Sequence, residues 1–334
     1  MDWKKLPKVE LHLHLDCSLS YAVVSQIDPS ITLEDYRTNF IAPAKCINLA
    51  DFLARAPSSF PLMQTAEQLR LVTWDLFDQL HEDNVIYAEI RFAPLLHTEG
   101  GLSAREVVAS VEAATAKAVR STGIEARIIL CTLRYLSAEQ SLETVHLVEE
   151  FRGTYVAGFD IAADKPGNVI DAYLPAFQYA RDKGIPYTAH AGETRGLENV
   201  WETVEHFAPS RIGHGVCSIT DPELLEHLRQ HGIHLEACPS SNVQTDCYDT
   251  YADHPIDRLY RAGISVGVNT DTRTIGNITL SQEYEKLHQT FGWEVEDFYQ
   301  CNRNALEAAF VPEDVRDVLL NRLGEGYQSK MGIK

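Results

Sequence analysis

Hydrophobic and polar positions alternate strictly over Val9-Glu10-Leu11-His12-Leu13-His14-Leu15-Asp16. A period of two predicts a β-strand, with His12 and His14 on one of its faces. The period then changes. Leu49, Phe52 and Leu53 share one helical face, and Leu69, Val72, Leu76 and Leu80 outline a longer amphipathic helix that ends near Asp83-Asn84. Beyond it, strand-like runs recur at Val85–Phe92, Ala126–Cys131, Val156–Ala162, Tyr187–His190, Arg211–His214, His234–Cys238 and Ser265–Asn269. Helical patterns separate them, at 103–121, Ser137–Phe151, Ile170–Lys183, Glu223–Gln230 and His254–Arg261. Eight strands divided by helices predict a parallel sheet of α/β class, and at this length a closed (β/α)8 TIM barrel. An open doubly wound sheet is the alternative, weakened because no glycine-rich phosphate loop follows the first strand. Residues 17–84 are expected as a helical insertion or lid after strand one, and the tail from Asp297 as helix packed outside. With no internal repeat, low-complexity tract or linker-like segment, the whole span 1–334 is expected to be one domain.

Composition narrows the partners. Of 334 residues, 48 are acidic and 29 basic, a formal net charge of −19. Phosphate backbones and anionic membrane surfaces are bound through clustered Lys and Arg, so neither nucleic acid nor membrane is expected as a partner. No apolar run approaches the ~20 residues that span a bilayer, and Met1-Asp2-Trp3-Lys4-Lys5 lacks the apolar core of a signal peptide. The seven cysteines are scattered without a CxxC pair, which suits reduced thiols and a cytoplasmic location.

The barrel prediction adds meaning to the two histidines, because barrel enzymes place their chemistry at the carboxyl ends of the strands. Strand one ends in His12, His14 and Asp16; strand five in His190-Ala191-Gly192-Glu193; strand six in His214; strand eight in Asn269-Thr270-Asp271. Imidazoles and a carboxylate converging from four strand ends suit a borderline-soft cation such as zinc. Taken singly, each has a plainer explanation: an isolated His190 or His214 is ordinarily a hydrogen-bonded core histidine, and Glu193 a partner at a helix start.

In order along the chain stand Leu6-Pro7-Lys8-Val9-Glu10-Leu11-His12-Leu13-His14-Leu15-Asp16, His190-Ala191-Gly192-Glu193, Arg211-Ile212-Gly213-His214-Gly215, Cys238-Pro239-Ser240-Ser241-Asn242 and Asn269-Thr270-Asp271. With these motifs the sequence resembles the adenosine deaminase family of the amidohydrolase superfamily. The resemblance implies one zinc ion per subunit, bound by His12, His14, His190 and Asp271 with a position left for water. The pKa of such a water falls from 15.7 towards ~7. It also implies that His214 is the base that takes the water's proton, and that Glu193 is the acid that protonates purine N1. Asp271 would in addition accept a hydrogen bond from the water. Glu193 must then be protonated at working pH, and a pKa raised by an apolar pocket is expected. The implied reaction is hydrolytic deamination at C6 of a 6-aminopurine nucleoside, adenosine or 2′-deoxyadenosine, to inosine or 2′-deoxyinosine and ammonia.

The substrate side carries the departures. Asp16 matches the family aspartate at the ribose, where adenine-specific relatives tend to have Glu; its plainer role is to cap the following turn. Ala163 stands where a family glycine contacts purine N3 through its N–H. Leu49, Phe52 and Leu53 resemble the family's lid helix, although such triplets are ordinarily core. Cys17 replaces a family glycine, and Thr272 replaces the aspartate that contacts N7 with an uncharged, shorter donor. Arg273 is expected in a surface or salt-bridged position, with recognition of an anionic substituent as the alternative. Lys165 occupies the region where two-metal relatives carry a bridging lysine, and an ordinary loop lysine with one metal is the expectation. The rival functions are therefore deamination of a modified or anionic aminopurine nucleoside, deamination of adenine, and nucleoside binding without catalysis. Oligomeric state is not legible in the sequence.

Overall fold

The computed structural model describes residues 1–163, 170–194 and 196–331. Its strands are β1 (Lys8–His14), β2 (Val85–Phe92), β3 (Glu125–Leu133), β4 (Val156–Ala162), β5 (Thr188–Ala191), β6 (Arg211–His214), β7 (His234–Ala237) and β8 (Val266–Val268). All pair in parallel, as two four-stranded sheets ordered β1-β2-β3-β4 and β5-β6-β7-β8. Single parallel bridges, Phe159 with Tyr187 and Leu13 with Asp271, join the sheets at their two seams. The eight strands thus follow the (β/α)8 order, with the ladder interrupted at the seams rather than continuous. At the β1 seam, side-chain amides stand in for the missing ladder. Asn269 Oδ1 accepts from the N–H groups of Leu11 (2.8 Å) and His12 (3.0 Å), and Asn302 Oδ1 from that of Val9 (2.6 Å). Beyond them His14 N–H donates to Asp271 O (2.8 Å) and Asp271 N–H to His12 O (3.1 Å). This closure sets Asp271 beside the two histidines of β1.

Apolar strand residues pack under helices that start at polar caps. The helix Ala66–Glu82 begins with a reciprocal Thr65–Gln68 capping box and buries Leu69, Val72, Leu76 and Leu80 completely or nearly so. Such a cap stabilises a helix by about 1 kcal/mol. The helix Val295–Ala308 packs on β8 and β1, as expected for the tail. Two departures from the sequence pattern bear on the site. β1 stops at His14, and Leu15–Cys17 turns away as a 3-10 helix that carries Asp16. Between β5 and β6 the short helix Glu198–Glu202 runs into a π-helical turn, Thr203–Phe207, an element without apolar periodicity to announce it. The insertion contributes further short helices, among them Leu49–Leu53, whose Asn48 cap accepts from Asp51 N–H. No helix among the described residues is long and apolar enough to cross a membrane.

Candidate active site

At the carboxyl ends of the strands, His12 Nε2 lies 3.3 Å and His14 Nε2 3.5 Å from Asp271 Oδ1, and His14 Nε2 lies 3.2 Å from His190 Nε2. Four ligands bonded at ~2.0–2.1 Å in a tetrahedron stand about 3.3–3.4 Å apart, so these spacings are those of tetrahedral edges around one ion. His214 stands at the same centre: it, His12, His190 and Asp271 offer donor atoms within 4.8 Å of one another. His12 Nε2 is buried without a hydrogen-bond partner among the described residues, and such an orphaned nitrogen is what a metal would satisfy. Burial pushes the pKa of His12 down and that of His14 down to about 3, so both rings are neutral with a lone pair to give.

The other nitrogen of the ligand rings is held from behind. His12 Nδ1 faces Glu236 Oε2 at 2.9 Å and His190 Nδ1 faces Asp160 Oδ2 at 3.1 Å. A carboxylate at Nδ1 fixes the tautomer and aims Nε2 at the ion. Arg91 bridges the two carboxylates at 2.7 Å each, and Arg211 Nε reaches Glu236 Oε1 at 2.9 Å. Because β2 and β7 are not neighbours, the Arg91–Glu236 pair crosses the barrel interior. Burial opposes ionisation of Glu236, but Arg91 and Arg211 outweigh it and hold its carboxyl well below the usual range. Asp271 Oδ2 accepts from Ser241 Oγ at 2.6 Å, which leaves Oδ1 facing the histidines. Two residues of the centre adopt left-handed backbone, His214 at φ 59° and Asp271 at φ 67°, a local strain typical of functional positions. Gly213 permits the close approach of β6 to β1, since a Cβ there would lie 2.9 Å from His12 Cε1.

Glu193 Oε2 lies 3.2 Å from His214 Nε2. This corrects one expectation: the Glu193 carboxyl is not raised. Burial pushes it up, but the hydrogen bond and charge of His214 pull it below its ordinary value, while Glu193 carries His214 upward against the effect of burial. Each thus shifts the other towards the charged form. Asn242 and Ser241, within the Cys238–Asn242 motif, touch His214 (3.1 Å) and Asp271 respectively.

Beside the centre opens a cavity of about 330 Å³, within the range of small-molecule sites. His14 and Asp16 form its polar end; Leu53, Phe60, Leu96, Leu133 and Ala163 are among its apolar walls. Only Leu53 of the expected lid triplet reaches it. Leu49 and Phe52 are buried instead in a cluster with Cys17 and Ile275. Asp16 accepts from Ala93 N–H at 3.2 Å and lies 3.8 Å from the buried His97, so it does more than cap a turn. Ala163 takes a left-handed φ of 63°, a conformation that glycine adopts more easily. Thr272 is buried beside Asp271, and its hydroxyl has no hydrogen-bond partner among the described residues. Arg273 is neither at the surface nor in the cavity: it is buried and paired with Glu10 (2.7 Å) and Asp83 (3.2 Å). Lys165 falls outside the described residues.

An α/β barrel that gathers three or four imidazoles and a carboxylate at its strand ends, beside an apolar cavity, has the layout of a metal-dependent hydrolase. The comparisons agree with that class. The family model described as "Adenosine deaminase" matches residues 7–325. An adenosine deaminase of Clostridium perfringens (strain 13 / Type A) is 35% identical over 326 residues, covering 96% of this chain and 98% of its own. Among solved structures, an adenine deaminase from Arthrobacter aurescens superposes with a TM-score of 0.88 at 24% identity, covering 96% of this chain and 98% of its own. An amidohydrolase from Burkhoderia ambifaria, with bound Zn, gives 0.89 at 23% identity, over 98% and 92%. The chain belongs to the adenosine deaminase family, a family of zinc-dependent hydrolases that act on carbon–nitrogen bonds.

Proposed function

We propose that this protein deaminates adenosine or 2′-deoxyadenosine hydrolytically at C6, with one zinc ion held by His12, His14, His190 and Asp271. The observation that carries the reading is the juxtaposition of that donor set and the Glu193–His214 pair with a mainly apolar cavity whose polar end is Asp16. When bound, zinc supplies activation of the attacking water near neutral pH. The chain's own residues do the rest. Asp271 accepts a hydrogen bond from the water, and His214 steadies it and takes its proton as it attacks C6. Glu193 delivers a proton to ring nitrogen N1, which makes C6 electrophilic; the amino group of the resulting tetrahedral carbon receives the water's proton and leaves as ammonia, and the C6 hydroxyl proton returns to Glu193 as the carbonyl forms. Glu193 must hold its acid proton against the pull of His214, which favours the carboxylate.

Asp16 suits a sugar hydroxyl, which favours a nucleoside over free adenine. No Lys or Arg is among the described residues lining the cavity, and Arg273 is committed to Glu10 and Asp83. Asp16 itself would repel a 5′-phosphate placed beside it, so the neutral nucleoside is the reading taken.

The test is ultraviolet spectroscopy of adenosine, 2′-deoxyadenosine, adenine, N6-methyladenosine and adenosine 5′-monophosphate with zinc-loaded protein. Conversion of the first two at the highest kcat/KM supports the reading. Unchanged spectra for both at full zinc occupancy would remove it, and conversion of another member names the replacement.

A further inference from the structure

We propose that Glu10 is a positioning residue for the metal centre. Its carboxylate staples together the two sides of the tight turn that carries Asp271, and so aims Asp271 Oδ1 at the histidines. Asp271 acts here as the zinc ligand of the reading above, on which this proposal rests; which aminopurine is deaminated does not enter.

The turn is an unusual one. Thr272 N–H donates to Thr270 O at 2.8 Å, and Asp271 between them has a φ of 67°. A hydrogen bond closed over three residues around a positive φ is the rare, strained form of γ-turn. A residue other than glycine keeps that conformation only where its surroundings over-determine it. The peptide groups of Asp271 itself are held by His12 and His14 of β1. The flanks of the turn need anchors of their own.

Glu10, also on β1, supplies them. Its Oε1 accepts from Thr270 N–H at 2.9 Å and from the Thr270 hydroxyl, one residue before Asp271. Its Oε2 accepts from the Arg273 guanidinium at 2.7 Å, two residues after Asp271. One carboxylate therefore spans the turn. Arg273 is tied down in its turn, since its guanidinium reaches Asp83 Oδ2 at 3.2 Å and its backbone N–H donates to Ser18 Oγ at 3.1 Å. Asp83 also accepts from Leu280 N–H at 2.7 Å and Ser281 N–H at 3.1 Å, which joins the far end of the loop to the same anchor. Glu10, Thr270, Arg273 and Asp83 are each at most 5% exposed.

Stability alone does not call for such a network. Apolar side chains of similar volume often serve a buried seam as well as an ion pair does. What the charged groups add is direction, because each charge-assisted bond fixes an angle as well as a distance. Relaxation of the turn towards negative φ would carry Oδ1 away from His12 and His14, now 3.3 and 3.5 Å from it. β1 thus brings two ligand imidazoles and the carboxylate that sets a third ligand.

The test is a double-mutant cycle on zinc affinity, measured on the full chain by competition with a chromogenic chelator. Glu10→Gln keeps the shape and an acceptor for Thr270 but offers Arg273 no charge. It should weaken zinc binding about 10–100-fold, the loss typical of an outer contact to a metal ligand. In an Asp271→Ala background the same substitution should cost less than about threefold, because the group it positions is gone. Equal losses in both backgrounds, or none in the first, overturn the proposal. Should Glu10→Gln fail to fold, Thr270→Val, which removes only the hydroxyl bond to Oε1, decides by the same comparison. Zinc affinity unchanged by Asp271→Ala alone removes the ligand reading and the proposal with it, whereas equal losses leave that reading standing.

Discussion

Replacing Glu236 with Gln tests whether the buried charges behind the histidines build the metal centre or only fill the barrel. The substitution keeps the shape and removes one negative charge. It faces Arg91 at 2.7 Å, Arg211 at 2.9 Å and His12 Nδ1 at 2.9 Å, and all four side chains are fully buried. Removing one partner of a buried ion pair typically costs about 3–5 kcal/mol. Arg91 retains Asp160 and Arg211 retains Glu89, so the lower end of that range applies. Unfolding entropy of ~2.1 cal/mol/K per residue gives about 0.7 kcal/mol/K for 334 residues, and 3 kcal/mol then lowers Tm by about 4 °C. His12 exchanges a carboxylate acceptor for an amide oxygen. Loss of such an outer contact weakens metal binding about 10–100-fold, or ~1.4–2.7 kcal/mol. Scanning calorimetry of apo and zinc-loaded protein, together with zinc competition against a chromogenic chelator, reads both effects. A lower Tm for the apo protein and a smaller gain in Tm on adding zinc are expected. A lower Tm with wild-type zinc affinity would show that the network does not serve the metal, and no change in either would refute the argument entirely.

Arg273→Met leaves the Glu10 and Asp83 carboxylates buried without their shared cation, and a destabilisation of about 3–5 kcal/mol is expected in denaturant melts. The ratio of kcat/KM for adenosine over its 5′-monophosphate should stay constant; a gain or loss of nucleotide turnover would bring Arg273 back as a substrate contact. Asp16→Ala removes a hydrogen bond to a charged group, worth ~1.5–3 kcal/mol, and should cut the preference for adenosine over adenine by about 10–150-fold with zinc content unchanged. Chelation should abolish turnover and lower Tm, by about 2.7 kcal/mol of lost linkage where zinc had stood at ~100 Kd, and zinc should restore both. Recovery with magnesium alone would contradict a site built of imidazoles.

The strands and the ends that bear function were legible because parallel barrel strands are continuous apolar runs and because the His-x-His pair, His190, His214 and Asp271 lie at the ends of such runs. The layer beneath was not read, although it left a trace. Glu89 and Arg91 interrupt β2, Asp160 interrupts β4 and Glu236 interrupts β7, at positions where a strand covered on both sides should be apolar. Charges at those positions had to pair across the barrel, but a one-dimensional pattern does not say with which strand. Asn242 escaped for the same reason: its partners, His214 and His254, are 28 and 12 residues away. The lid triplet shows the opposite failure. Helical periodicity put Leu49, Phe52 and Leu53 on one face, whereas packing of the short helix against Cys17 and Ile275 turns two of them into core and leaves Leu53 at the cavity. For Glu193, apolar burial alone suggested a raised pKa; the neighbouring His214, 21 residues on in sequence but 3.2 Å away in space, reverses its direction.

The central claim is that His12, His14, His190 and Asp271 hold the zinc ion that this fold needs to deaminate adenosine. It is tested most directly by following the conversion of adenosine to inosine in the ultraviolet while zinc content is measured on the same sample. Turnover that rises in proportion to zinc occupancy and saturates at one ion per chain is the predicted result. One bound zinc per chain with no spectral change in adenosine or 2′-deoxyadenosine would contradict it.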